Sequence, residues 1–140
     1  MPFASEIVRN QRSRRTDSYG SGQFGASRRH GPHEGLDIEA RPGEGVFSPI
    51  EGEILGEASP YADDRSLRGL LIRGAGQWNG YEVKIFYVDG IFCGRTVPGS
   101  LIGRAQDLTF RYPGITNHVH LEVRLGGRPL SPNEIYGLCI

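Results

Sequence analysis

The chain has 140 residues, enough for one domain with its own hydrophobic core. Its 16 basic and 16 acidic residues cancel, and no aromatic-interleaved basic pattern or motif indicates nucleic-acid binding. No stretch approaches the roughly 18 consecutive apolar residues that a membrane span requires. These features argue against a membrane-spanning apolar segment and favour a single domain.

Positive charge is concentrated at the N-terminus. Residues 1–30 contain six arginines and two acidic residues, a net charge of +4, whereas residues 31–140 carry a net charge of −4. The run Arg12–Arg15 and the pair Arg28-Arg29 could bind an anionic glycan, a cell-wall polymer or nucleic acid. We favour the alternative that residues 1–14 form a flexible basic arm in solvent. This segment has no apolar core typical of a signal peptide.

Residues 15–140 are predicted to form a single all-β domain. Twenty-one glycines and nine prolines interrupt the chain too often for long helices. Turn residues such as Arg41-Pro42-Gly43-Glu44 and Val97-Pro98-Gly99 separate short segments typical of strands. The predicted strands are Leu36–Glu39, Gly45–Ser48, Gly52–Leu55, Leu70–Arg73, Tyr81–Tyr87, Ser100–Gly103 and His118–Arg124.

Three of the four histidines fall in two short motifs, of which the first is His33-Glu34-Gly35-Leu36-Asp37. Gly35 argues against a helix. In an extended segment the even spacing places His33 and Asp37 on one face, unless a turn at Gly35 breaks this parity. Imidazole nitrogen and carboxylate oxygen are common zinc ligands.

Two further features of the sequence are a pair of cysteines and a long connection before the second motif. Cys93 and Cys139 are the only cysteines, 46 residues apart. A disulfide between them would stabilise the fold by about 4 kcal/mol, and two free thiols are an equal alternative. Residues 104–117 form a long connection before the second motif, and long ordered loops often wall a site.

The second motif is His118-Val119-His120, which continues into Leu121-Glu122-Val123-Arg124. In a strand, alternate residues share a face, so both imidazoles point out of one face and the apolar residues point into a core. The motif alone also fits ordinary polar residues on an exposed strand. Together with the first motif it predicts a zinc site with three protein ligands, His33, Asp37 and His120, and with His118 beside the metal.

These motifs, in this order, resemble the lysostaphin-like zinc metallopeptidases, which cut peptide bridges in bacterial cell walls. The closer resemblance is to the leukocyte cell-derived chemotaxin 2 family. It implies a compact antiparallel β-sheet core, with long loops walling a groove in which His33, Asp37 and His120 hold zinc. The matching stretches are Arg15-Thr16 through Gly22-Gln23-Phe24, Pro32–Ile38, Val46–Gly52, Val83–Tyr87, and Tyr112–Ile115 running into His118–Glu122.

One departure from the active peptidases bears on function. They carry a further histidine in a Tyr-x-His-Leu motif, which helps to stabilise the oxyanion, whereas the matching stretch here is Phe86-Tyr87-Val88-Asp89. No histidine occurs between residues 34 and 117. The chemotaxin-type proteins also lack it and act as zinc-binding signalling proteins. They carry cysteines near the N-terminus, and this chain has none before Cys93.

The resemblance leaves two functions open. His118 is placed to act as a general base, since the ordinary histidine pKa near 6.5 suits that role. The missing donor would cost about 100- to 1000-fold in rate, and Tyr87 could substitute for it, although a tyrosine packed in the sheet is the favoured interpretation. We therefore expect an extracellular or exported domain that binds a peptide, glycan or receptor at the zinc groove. The alternative is a zinc-dependent peptidoglycan endopeptidase, favoured by a composition of fifteen arginines and one lysine, typical of GC-rich bacterial genomes.

Overall fold

The computed structural model describes residues 3–22, 25–28, 31–32, 35–90 and 93–131. Over these residues the chain forms short β-strands and one 3-10 helix, Gly76–Trp78. The strands are β1 (Thr16–Asp17), β2 (Gly20–Ser21), β3 (Ser27–Arg28), β4 (Gly31–Pro32), β5 (Leu36–Glu39), β6 (Gly45–Phe47), β7 (Gly52–Ala58), β8 (Gly69–Gly74), β9 (Tyr81–Phe86), β10 (Val88–Gly90), β11 (Gly94–Thr96), β12 (Leu101–Ala105), β13 (His118–Leu125) and β14 (Arg128–Pro129).

The largest sheet has seven strands and is antiparallel throughout. Its order is β11-β7-β8-β9-β13, and β5 and β14 both pair with the second edge of β13. A smaller antiparallel sheet has the order β10-β12-β6, and β1–β2 and β3–β4 form two short pairs. The predicted all-β, antiparallel fold is confirmed. His120 lies between β5 and β9, pairing with Asp37 on one side and Phe86 on the other, whereas His118 pairs only with Glu39 of β5.

Alternation along the strands builds the core. On β13, Val119, Leu121 and Val123 are almost completely buried, while His120, Glu122 and Arg124 are partly accessible on the opposite face. Both sheets contribute to one hydrophobic cluster, since apolar side chains of each strand pack best away from water. Its members on the central strands include Leu36, Ile38, Val46, Ile54, Leu70, Ile72, Val83, Ile85, Val88 and Ile102.

The N-terminal segment departs from the expected solvent-exposed arm. Ile7 and Val8 are completely buried, and Phe3 meets Tyr81 edge-on with ring centroids 6.2 Å apart. The backbone N–H of Phe47 donates to the carbonyl of Ile7 at 2.8 Å. The described part of this segment is therefore folded onto the domain, because burial of its apolar side chains away from water is favourable.

All seven predicted strands occur: Leu36–Glu39 has the predicted bounds, and the other six differ by one to three residues at one or both ends. Strand β9 ends at Phe86, one residue earlier than predicted, because Tyr87 has a φ of +68° and cannot continue an extended strand. Strands β1 to β4, β10, β11 and β14 were not predicted. Cys93 is an exposed free thiol, and Cys139 lies outside the described residues. Within the described chain, no helix has the length and apolar character needed to cross a membrane.

Candidate functional site

Strands β5 and β13 bring two of the three predicted ligands together. Asp37 and His120 are direct partners across this antiparallel pair, although 83 residues separate them in sequence. His120 Nδ1 lies 3.0 Å from Asp37 Oδ1. The Asp37 side chain is only 4% exposed. His33, the third predicted ligand, lies outside the described residues.

Glu122 orients the His120 ring and was given no role from sequence. Its Oε2 lies 3.3 Å from His120 Nε2, and its Oε1 accepts a hydrogen bond from Arg124 at 3.3 Å. A neutral imidazole has one N–H and one lone pair. If Nε2 donates to Glu122, the Nδ1 lone pair faces the Asp37 carboxylate. A carboxylate behind a ligating histidine in this way is a recurrent feature of metal sites.

The surroundings of His120 act on its pKa in opposite directions. Burial lowers the pKa, while hydrogen bonds to Asp37 and Glu122 raise it, and the protein groups together raise it to about 9. The hydrogen bond with His120 lowers the pKa of Glu122, which therefore remains a carboxylate. The Phe86 ring stacks on the imidazole with centroids 5.6 Å apart. The carboxylates of Asp37 and Glu122 thus lie on either side of the His120 ring and hold it in place.

His118 has a different environment from His120. Its Nδ1 lies 2.8 Å from the carbonyl oxygen of Thr116, and because a carbonyl only accepts, Nδ1 carries the hydrogen. The lone pair of the neutral ring is then on Nε2, 3.6 Å from Asp37 Oδ2. Burial lowers the pKa of His118, although the Asp37 charge opposes this. The ring is therefore neutral at neutral pH with a basic nitrogen facing the site.

Gly35 is required where the chain passes the His120 ring. A Cβ at this position would lie 2.7 Å from both Cε1 and Nε2 of His120. Contacts below 3.0 Å require atoms to move, and the ring is fixed by Asp37, Glu122 and Phe86. The glycine of the first motif thus allows the motif to approach the second. We call Asp37, His118, His120 and Glu122 the site floor.

The site floor opens into a cavity of about 330 Å³. Its walls are formed mainly by loops before β8, after β9 and before β13, as predicted for the long connection. The lining residues are Arg14, Tyr19, Asp37, Pro60, Tyr61, Phe86, Tyr87, Tyr112, Ile115, His118 and His120. Four of them are tyrosines, a concentration that no local sequence pattern indicates.

Three of these tyrosines join through their hydroxyl groups. Tyr61 shares hydrogen bonds with the hydroxyls of Tyr87, at 2.9 Å, and Tyr112. Burial raises the pKa of Tyr61 to about 12 and also raises the pKa of Tyr87, so both stay protonated. The guanidinium of Arg111 lies 3.9 Å above the Tyr61 ring and donates to the Tyr112 hydroxyl at 3.1 Å. We call Tyr61, Tyr87 and Tyr112 the tyrosine wall.

Tyr87, the predicted substitute donor, is part of this wall and does not pack inside the sheet. Its left-handed φ of +68° follows the end of β9, a conformation that bulky residues rarely adopt. The turn directs its ring edge-on against His118, with centroids 5.5 Å apart. Its hydroxyl is shared with Tyr61. The structure therefore brings Tyr87 beside the predicted base.

The donor chemistry of the site floor fits zinc. A buried carboxylate and an imidazole nitrogen meet at 3.0 Å, and Glu122 supports the imidazole from behind. Within the described part of the chain, no group of three or more His, Cys, Asp or Glu side chains is arranged to hold a metal ion. Two predicted ligands are thus placed together, and the role of the third remains a prediction.

Solved structures define the class of fold. The chain matches Helicobacter pylori Csd3 with a TM-score of 0.65 at 20% identity, covering 99% of this chain and 34% of that one. It matches lysostaphin with a TM-score of 0.66 at 15% identity, covering 93% and 51%. A zinc-containing peptidase from Vibrio cholerae gives a TM-score of 0.57 at 23% identity, covering 86% and 39%. The fold is that of the lysostaphin-like peptidases, and this chain spans about half or less of each of these proteins.

Sequence relatives narrow this class to a family. Mouse leukocyte cell-derived chemotaxin-2 is 37% identical over 111 residues, which cover 78% of this chain and 71% of the relative. The bovine protein is 33% identical with the same coverage, and chicken myeloid protein 1 is 34% identical with 33% of its length covered. No protein-family model matches the chain. The chain belongs to the leukocyte cell-derived chemotaxin-2 family.

Proposed function

We propose that this protein is an extracellular or exported zinc-binding domain that binds a peptide, glycan or receptor in the groove above the site floor. His33, Asp37 and His120 would hold the metal. The contact between His120 Nδ1 and Asp37 Oδ1 at 3.0 Å supports this proposal most directly. Membership of the chemotaxin family and the lysostaphin-like fold are consistent with it.

The residues around the groove are suited to binding more than to hydrolysis. Zinc in such a site supplies a Lewis acid and lowers the pKa of a coordinated water. His118 can accept a proton at Nε2, since its Nδ1 hydrogen is held by Thr116. No histidine occupies the position that donates to the developing oxyanion in the active peptidases, and the Tyr87 hydroxyl is already engaged with Tyr61.

A second candidate function is a zinc-dependent peptidoglycan endopeptidase. The orientation of His118 favours it, because a buried neutral imidazole aimed at the site is costly to maintain for binding alone. Tyr87 would serve as the donor after its hydroxyl turns away from Tyr61. Rotation of a protonated phenol within the wall is the step on which this alternative depends.

A metal measurement tests the proposed function first. We expect one zinc ion per chain by elemental analysis, and loss of the metal in His33→Ala and His120→Ala. His118→Ala is the matched control, because His118 lies beside Asp37 but has no ligand role in the proposal. The proposal would be overturned if the native protein contained no zinc and took up none on titration. Metal loss in His118→Ala as complete as in His120→Ala would contradict this assignment and place His118 among the ligands of a closed site.

Digestion assays then separate binding from hydrolysis. We expect cleavage of peptidoglycan and glycine-rich peptides to be undetectable, or at least about 100-fold below a peptidase with the full histidine set. Binding of the same peptides to the zinc-loaded protein should persist. Zinc-dependent cleavage detected by mass spectrometry, abolished by His118→Ala and weakened by Tyr87→Phe, would instead establish the endopeptidase.

A further inference from the structure

One arginine of the N-terminal basic run is buried at the site floor. The Arg14 side chain is 4% exposed, whereas Arg12, two residues earlier, is 43% exposed. Backbone hydrogen bonds hold the segment in place: Arg14 N–H donates to the carbonyl of Asp37 at 2.8 Å, and Asp37 N–H donates to that of Gly22 at 2.9 Å. A buried guanidinium is rare without a specific partner, so its contacts identify its role.

Arg14 uses its two sides for two carboxylates. Nη1 donates to Asp37 Oδ2 at 2.8 Å, while Nε and Nη2 donate to the two oxygens of Asp17 at 3.0 and 2.7 Å. Asp17 is itself fixed by the backbone N–H groups of Thr116 and Tyr19 at 3.0 and 2.8 Å. The guanidinium is therefore held in position by its forked pairing with Asp17, and its Nη1 fixes one oxygen of Asp37.

Gly22 makes this approach possible. A Cβ at position 22 would lie 2.8 Å from the Asp37 Cβ and 2.9 Å from the Arg14 Cβ. Any side chain there would push the N-terminal segment away from β5. The contact between Arg14 and Asp37 is thus built into the backbone packing and does not depend on a flexible surface side chain.

We propose that Arg14 is a positioning residue of the metal site: it holds Asp37 Oδ2 so that Oδ1 is presented on the side of His120. This inference rests on the proposed zinc site. With one oxygen held at 2.8 Å by Arg14, the carboxylate cannot rotate freely, and its other oxygen lies 3.0 Å from His120 Nδ1. A ligand fixed before the metal arrives loses less conformational entropy on binding.

Asp17 has a separate part in the same arrangement. A lone arginine near a divalent cation would oppose its binding by charge repulsion. The forked pair with Asp17 cancels that charge while leaving the Arg14 hydrogen bond to Asp37 intact. Asp17 contacts no residue of the site floor in its hydrogen bonds to Arg14, Tyr19 and Thr116. Its removal should therefore weaken zinc binding through Arg14 alone.

The test is the zinc dissociation constant, measured by competition with a chromogenic chelator on full-length protein. We expect Arg14→Met to weaken zinc binding about 10- to 100-fold, the usual effect of losing a group that orients a metal ligand. Arg14→Lys should be intermediate, because it keeps the charge and loses the fork. Asp17→Asn should also weaken binding. Arg12→Met is the matched control. Arg12 is an exposed neighbour of Arg14 that pairs with Glu39, so this variant should bind zinc as the wild-type protein does.

Fold stability must be separated from positioning. Each zinc-stripped variant is therefore checked by circular dichroism and urea denaturation, and affinities are compared where the stripped protein is folded. The visible spectrum of the Co²⁺ derivative gives a second readout, and we expect its bands to shift in Arg14→Lys. If Arg14→Met does not fold without metal, the affinity and Co²⁺ spectrum of Arg14→Lys decide the question.

The outcomes distinguish a failure of the positioning role of Arg14 from a failure of the proposed zinc-binding function. Folded Arg14 variants that bind zinc as tightly as wild type, with an unchanged Co²⁺ spectrum, would show a purely structural ion pair and overturn the inference alone. Wild-type protein that binds no zinc would overturn the proposed function and the inference with it. Weaker binding in the Arg14 and Asp17 variants, but not in Arg12→Met, would establish the positioning role.

Discussion

The site floor and the tyrosine wall face the same cavity but differ in their backbone elements and in the kind of hydrogen bonds that hold them. The floor lies on paired strands, and its carboxylates are held by polar partners: Asp37 by Arg14 and His120, and Glu122 by His120. The wall lies on loops and consists of neutral phenols that share hydroxyl hydrogen bonds. Ionic hydrogen bonds in a buried site are about twice as strong as neutral ones, so the floor is the more rigid half.

The site floor and the tyrosine wall therefore have different roles. Strand pairing fixes where Asp37 and His120 meet, and Arg14 and Glu122 fix how their polar atoms point. The wall shapes the cavity, and the guanidinium of Arg111 packs on the Tyr61 ring. Changes in the floor should therefore alter metal binding and stability, while changes in the wall should alter ligand binding.

The largest effect is expected from Asp37→Ala. The substitution removes a proposed ligand and leaves Arg14 with Asp17 as its remaining carboxylate partner. Breaking a buried ion pair in this way costs about 3 to 5 kcal/mol, and we expect the lower end because Asp17 remains. Urea denaturation of zinc-stripped protein measures the loss of stability without the contribution of the metal. Zinc uptake should be abolished.

Glu39→Ala is the control for that substitution, on the same strand. Glu39 forms an exposed pair with Arg12, so the loss should be at most about 1 kcal/mol with zinc binding unchanged. Equal destabilisation by the two substitutions would mean that the floor is no more rigid than the surface of the sheet.

A smaller effect is expected from Glu122→Gln. The amide keeps the size of the side chain but weakens the acceptor behind His120 Nε2. Zinc affinity should fall by about 10-fold or more, since the histidine loses its orienting carboxylate. Isothermal titration with zinc measures this. Glu82→Gln, an exposed glutamate on the adjacent strand β9, is the control. An unchanged affinity in Glu122→Gln would remove Glu122 from the floor.

The smallest effect is expected from Tyr61→Phe in the tyrosine wall. The change removes the hydroxyl that joins Tyr87 and Tyr112 and should cost about 1 kcal/mol of stability. Zinc affinity should stay at the wild-type value, while peptide binding to the groove weakens. Tyr19→Phe, which loses a single bond to the Pro113 carbonyl, provides the comparison. A fall in zinc affinity in Tyr61→Phe would show that wall and floor are coupled.

The strand pattern around the second motif was predictable because it is local. The two-residue period of His118-Val119-His120-Leu121 separates polar from apolar faces, and burial of Val119 and Leu121 confirms it. The end of β9 was placed one residue too far, since nothing in Phe86-Tyr87-Val88 signals a left-handed residue. Likewise, the apolar residues Ile7 and Val8 were visible in the sequence, but their partners in the core were not.

The sequence by itself determined the β class, the faces of the strands and the family, because periodicity and motifs are properties of short segments. Tertiary structure alone decided that Arg14 turns inward while Arg12 faces solvent, and that tyrosines at positions 61, 87 and 112 meet. The reason is that the identity of an arginine or a tyrosine in the sequence does not indicate the direction in which its side chain points. Its direction follows from strand register and from which buried carboxylate or hydroxyl can satisfy it, and both are set by residues far away in sequence.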